Sequence, residues 1–164
     1  MFSLSRLPRP GGFAPLLVAT LLVGLLAGGC ARPARKNVNA ISKDDREVLA
    51  QYELIRAALT DDDLRRSRLA GEKLLKALEL PGITPALAKA KPSAKMLAET
   101  FRIDTARSAF KDLSAALIPL CDGVEGFYVV TTALVPDGVW VQTTREIGNP
   151  YLGRAMPAYG EIKK

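Results

Sequence analysis

The sequence predicts a mainly α-helical domain, a small bundle of three or four helices closed by a C-terminal β-hairpin, and three observations carry that prediction. Between Ser42 and Pro119, apolar residues recur at helical spacing and are punctuated by capping and breaking residues. Residues 127–133 are rich in aromatic and β-branched side chains, Pro136-Asp137-Gly138 is a turn signal, and Val139-Trp140-Val141 resumes strand character. At 164 residues, with a leader at its start, the chain has room for one such core.

The leader comes first. Arg6 and Arg9 precede a run from Phe13 to Gly29 that carries no charge and includes Leu16, Leu17, Val18, Leu21, Leu22, Val23, Leu25 and Leu26. A basic start, a short apolar stretch and small residues at its exit are the layout of a signal peptide over residues 1–29. An uncleaved membrane helix is the competing reading, but it would prefer about 20 apolar residues without glycines. Leu26-Ala27-Gly28-Gly29-Cys30 resembles a bacterial lipobox, in which the cysteine thiol is acylated. The expectation is therefore a membrane-lipid anchor at Cys30, against an ordinary secretory signal with a chance cysteine. More than one acyl chain gives stable anchoring where one does not. Ala31, in place of aspartate beside that cysteine, resembles lipoproteins sorted to the outer membrane in hosts that have one. Residues 30–43 follow as a flexible tether, with Pro33, Asn37 and Asn39 and no helical period. Its basic residues suit an anionic membrane surface or a plain solvated linker.

The domain proper is expected over residues 44–164. Ser42 and the acidic turn Asp44, Asp45 and Glu47 mark a helix start, and Val48, Tyr52, Ile55 and Leu59 give its apolar face as far as Thr60. Asp61-Asp62-Asp63 reads as the capped start of a second helix rather than a metal or phosphate cluster, because Leu64, Leu74 and Leu78 continue an apolar face after it. Ser67 and Gly71 on that face leave room for a neighbouring helix. Pro81-Gly82 ends the second helix, Thr84-Pro85 opens a short third one, and Lys91-Pro92 interrupts again. From Ser93, Met96, Ile103, Phe110 and Leu117 recur every seven residues until Pro119, which suits packing on the first two helices better than a coiled coil. Met96 is expected in the core. Cys121 at the helix-to-hairpin joint has no partner cysteine if Cys30 is acylated. It reads as a small buried residue, with a reactive or dimer-forming thiol as the alternative. Asn149-Pro150-Tyr151-Leu152-Gly153 is a turn that folds the last dozen residues back.

Charge and composition exclude several functions. Six of the 23 basic residues precede Asp44, so the remainder carries 17 basic and 17 acidic residues, and nucleic-acid binding is not expected. Histidine is absent, which removes Ser-His-Asp and Cys-His catalysis and the commonest metal ligand.

From Tyr52 onward the chain resembles the domain-of-unknown-function 3347 family of bacterial envelope proteins, also found fused to periplasmic adaptor subunits of copper and heavy-metal efflux systems. The residues that carry the resemblance are Tyr52 to Asp62, Arg107 to Ser114, Gly138-Val139-Trp140 and Glu146 to Met156. The resemblance implies a Cys-Pro-Met triplet in the first hairpin strand, where this chain has Thr132-Ala133-Leu134. It implies a cysteine after the last methionine, where Tyr159 stands before Gly160, and often a histidine at Ala109. Of that soft-ligand set only Met156 is retained.

The expected function is that of a non-catalytic, lipid-anchored envelope protein, a binding or accessory module with no cofactor. Trp140, Tyr128, Tyr151 and Tyr159 then pack its C-terminal lobe or, if exposed, offer a partner surface, for which Trp140 and Tyr151 are the candidates. A periplasmic copper protein using Met156 and Cys121 is the alternative. An envelope enzyme is less favoured, because no nucleophile, base and orienting group can be assembled.

Overall fold

In the computed structural model, residues 36–163 are described, and they fold as five helices followed by a small antiparallel sheet. The leader, Cys30 and the first residues of the tether lie outside them. The packed region starts before Asp44: Lys36 N–H donates to Gly123 O at 2.8 Å, Glu125 N–H donates to Lys36 O at 2.9 Å, and Ile41 is buried.

Helix α1 spans Lys43–Thr60, and the Ser42 hydroxyl accepts from Asp45 N–H at 3.0 Å. Its expected face is realised, with Val48, Tyr52, Ile55 and Leu59 all buried. The acidic first turn also binds a loop: Asp45 accepts from Thr84 N–H at 2.9 Å and from its hydroxyl at 2.6 Å, and Asp44 accepts from Gly82 N–H at 2.8 Å. Helix α2 spans Leu64–Ala77. Of the three aspartates before it only Asp63 caps it, accepting from Arg66 N–H at 2.9 Å. Gly71 meets the backbone at Leu97 and Ala98 so closely that a Cβ would lie 2.9 Å from Ala98 N. The small residue on that face therefore does what its position suggests.

Helix α3 is one turn, Pro85–Ala88, and α4 spans Lys91–Glu99. Lys91-Pro92 thus begins a helix instead of breaking one, because proline in the first turn gives up an N–H that has no intrahelical partner there. The seven-residue period does not describe one helix. Thr100 is extended, and its Oγ1 accepts from Arg102 N–H at 3.2 Å, a local bond that competes with the helical one. The break resets the phase, so Met96 is 49% exposed, contrary to expectation, while Phe110 and Leu117 are fully buried. Helix α5 spans Ile103–Cys121 and continues through Pro119, which is exposed, as is Ala115, whose carbonyl loses its helical donor to the ring.

Strands β1 (Tyr128–Thr132) and β2 (Gly138–Gln142) form the expected hairpin, with Val130 opposite Trp140 and Thr132 opposite Gly138. A third strand, β3 (Glu161–Ile162), pairs antiparallel with β1 and gives the order β2-β1-β3. An aromatic series links helices to sheet: Tyr52 stacks on Phe110 at 4.8 Å, Phe110 meets Tyr151 at 6.0 Å, and Tyr151 meets Trp140 edge-on at 5.8 Å. No helix among the described residues is long and apolar enough to cross a membrane.

Candidate functional site

The Asn149 to Gly153 turn sets the geometry of the C-terminal lobe. Asn149 is fully buried; its Oδ1 accepts from Tyr151 N–H at 2.8 Å and Leu152 N–H at 3.0 Å, and its Nδ2 donates to Tyr159 O at 2.6 Å. Asn149 N–H also donates to Pro157 O at 2.7 Å. One residue therefore closes a loop whose far end returns to β1 as β3. Two arginines clamp the loop to the helices. Arg107 of α5 donates to Pro150 O at 3.1 Å and pairs with Asp62, whose other carboxylate oxygen accepts from Arg154 N–H at 3.2 Å. Arg56 of α1, held by Glu53 at 2.7 Å, donates to Gly148 O at 2.8 Å. Gly153 sits at φ +57°, and a Cβ there would overlap both the Asp62 carboxylate and the Arg107 guanidinium.

The returning loop stands against the end of β1 and borders a half-open pocket of about 400 Å³ between residues 131–133 and 158–161. Thr132 and Tyr159, where the resemblance implies two cysteines, line this one pocket. Sequence positions 27 apart are thus brought to a shared wall, with Ala133 beside them. Thr132 is buried, and its hydroxyl oxygen has no hydrogen-bond partner. Tyr159 is 38% exposed, and Glu161 is the one charged residue of the lining. Hydroxyls and a carboxylate with no sulfur do not fit Cu(I), which selects thiolate and thioether donors.

The remaining candidates lie apart from this wall. Leu134 and Met156 are exposed and do not line the pocket. Cys121 is buried in the core, and burial pushes its thiol up to about 12, opposite to what a metal-binding or reactive cysteine needs. Ala109 is on the buried face of α5. Trp140 and Tyr151 pack the lobe and present no partner surface: both are buried, and the Tyr151 hydroxyl donates to Val139 O at 2.7 Å. Tyr128 is partly buried, and its hydroxyl accepts from Arg145 Nε at 3.2 Å. Among the described residues no group of three or more His, Cys, Asp or Glu is placed to hold a metal ion.

Sequence reasoning did not find Glu161 as part of the site, nor the ion pair between Asp62 and Arg107. A two-residue strand has no period to read, and Asp62 earns its role from a positive φ of 55° that turns it away from the cap.

A family model described as a protein of unknown function (DUF3347) matches residues 48–126. The match runs through the helices and stops before β1, so the hairpin and pocket positions rest on the residue-level resemblance. No curated protein and no solved structure matches the chain.

Proposed function

From a chain that belongs to the domain-of-unknown-function 3347 family over residues 48–126, we propose a non-catalytic, lipid-anchored protein of the bacterial envelope. It acts as a binding or accessory module related to metal-efflux adaptor domains, with the soft-metal site altered. The observation that carries this reading is the convergence of Thr132 and Tyr159 on one pocket. The family frame around the pocket is kept, through Trp140, Asn149, Tyr151 and Gly153, while the side chains that would bind Cu(I) are replaced. Anchoring through acylated Cys30, outside the described residues, is supported by the Leu26 to Cys30 motif, and the outer membrane by Ala31. The non-catalytic part of the proposal rests on the absence of histidine and on the burial of the Cys121 thiol.

Titration of the purified protein with Cu(I) against a competing chelator tests the altered site. No submicromolar stoichiometric binding is expected; such binding would overturn the proposal. The reading in which Met156 and Cys121 share a copper ion has little support, since one side chain is 42% exposed and the other is sealed in the core.

A further inference from the structure

We infer that the end of the domain where the chain enters the fold docks on an anionic bilayer surface, and that the opposite end, with Phe101, is turned away from it. This deepens the proposed envelope role and rests on the acylation of Cys30. Lys36 forms an isolated parallel bridge with Val124, held by its backbone bonds to Gly123 O and Glu125 N–H. Only Ala31 to Arg35, five residues, separate it from Cys30. Six Cα steps of no more than about 3.6 Å each reach at most about 22 Å. Helix α5, with 19 residues, is longer than that, at about 28 Å. The entry end is therefore held close to the lipid whatever path the short link takes. Helix α5 also fixes which end is far: Gly123 follows its C-terminus, and Phe101, 78% exposed, precedes its N-terminus.

The surface at the entry end suits headgroups. Residues 36–40 are all exposed, Val38 among them. The exposed 79–82 turn, with Leu80 and Pro81, is tied to the start of α1, where Asp44 accepts from Gly82 N–H and the Ser42 hydroxyl donates to Gly82 O at 3.3 Å. Val38 and Leu80 thus leave apolar side chains open at this end, able to enter the interface. Beyond the leader the chain's formal excess of positive charge is Arg32, Arg35, Lys36 and Lys43, and all four precede Asp44. Along the chain they are the charges nearest the lipid, where an anionic surface attracts basic residues. Of the carboxylates at this end, Asp44 and Asp45 accept from the 82–84 loop, Asp122 and Glu125 flank the Lys36 bridge, and Glu79 lies in the turn.

The test places one fluorophore at a time on the acylated chain, through Val38→Cys, Leu80→Cys or Phe101→Cys, all at exposed positions; Cys121 is buried and escapes labelling. The protein is reconstituted into bilayers of phosphatidylethanolamine and phosphatidylglycerol that contain a lipid spin-labelled at its headgroup. Quenching at Val38 and Leu80 is expected to exceed that at Phe101 about threefold or more, since the two ends of α5 are about 28 Å apart. Replacing phosphatidylglycerol by phosphatidylcholine should lower the quenching at Val38 about twofold. Equal quenching at the three positions, stronger quenching at Phe101, or none at Val38 would each overturn the inference, and an unchanged value in the zwitterionic bilayer would overturn the anionic partner. Incorporation of labelled fatty acid into the same preparation keeps the two levels apart. A chain that takes up no fatty acid defeats the anchor proposal and this inference with it, whereas an acylated chain quenched equally at Val38 and Phe101 defeats the docking alone.

Discussion

Cys121 and Asn149 show how much single residues decide. The Cys121 thiol ionises with difficulty in the folded chain, because burial raises it from 9.0 to about 12. The unfolded thiol releases its proton first, so its contribution to stability is intact below pH 9 and declines as pH rises from there towards 12. Burial raises Tyr52 and Tyr151 as well, and their contribution changes in the same direction at higher pH. Urea unfolding between pH 8 and pH 10 should show stability falling above pH 9 at up to about 1.4 kcal/mol per pH unit from the thiol. A flat profile would contradict the buried, protonated thiol. At Asn149 the expected cost of Asn149→Ala is about 2–4 kcal/mol, for the loss of three side-chain hydrogen bonds in a buried place. Asn149→Asp keeps the two acceptor bonds and loses the donor to Tyr159 O. Hydrogen exchange should therefore speed up at Lys163 N–H, which donates to Val129 O at 2.8 Å, more than at Tyr151 N–H. Equal acceleration at both would mean that the pocket wall is held by something other than the Asn149 amide.

At the scale of elements, helix packing rests on Gly71. Gly71→Ala gains helix propensity of about 1 kcal/mol but forces a Cβ against the Ala98 backbone, so a net loss of about 1–2 kcal/mol is expected in chemical unfolding. A stabilised variant would contradict the close approach of α2 to α4 at Gly71. This contact was legible in the sequence, as were α1 with its Ser42 cap, the hairpin register region around Pro136-Asp137-Gly138, and the turn at Asn149. Each of these is encoded within a few neighbouring residues. What misled was spacing without geometry: Met96, Ile103, Phe110 and Leu117 keep a seven-residue interval across an extended Thr100, so the count is preserved and the face is not. Pro119 looks like a stop in the sequence, yet a proline on an exposed last turn costs a bond that water can replace. Strand β3 and the Glu161 side of the pocket depend on a pairing 30 residues away in sequence, which no local pattern records.

For the whole molecule, the proposed anchor and the proposed pocket are separable. Cys30→Ser should abolish incorporation of labelled fatty acid and move the protein from the membrane to the soluble fraction, while leaving the unfolding of the domain unchanged; continued labelling would refute the lipobox reading. The pocket is the central claim, because it joins two positions that the family resemblance marks and that folding brings to one wall. Its most direct test is a Cu(I) competition titration of the wild-type chain beside Thr132→Cys/Tyr159→Cys. The wild type should show no submicromolar stoichiometric binding, and the double variant, with two thiols returned to one pocket, should bind one Cu(I) per chain. Tight binding by the wild type, or no gain in the double variant, would contradict the account of a retained frame around an altered site.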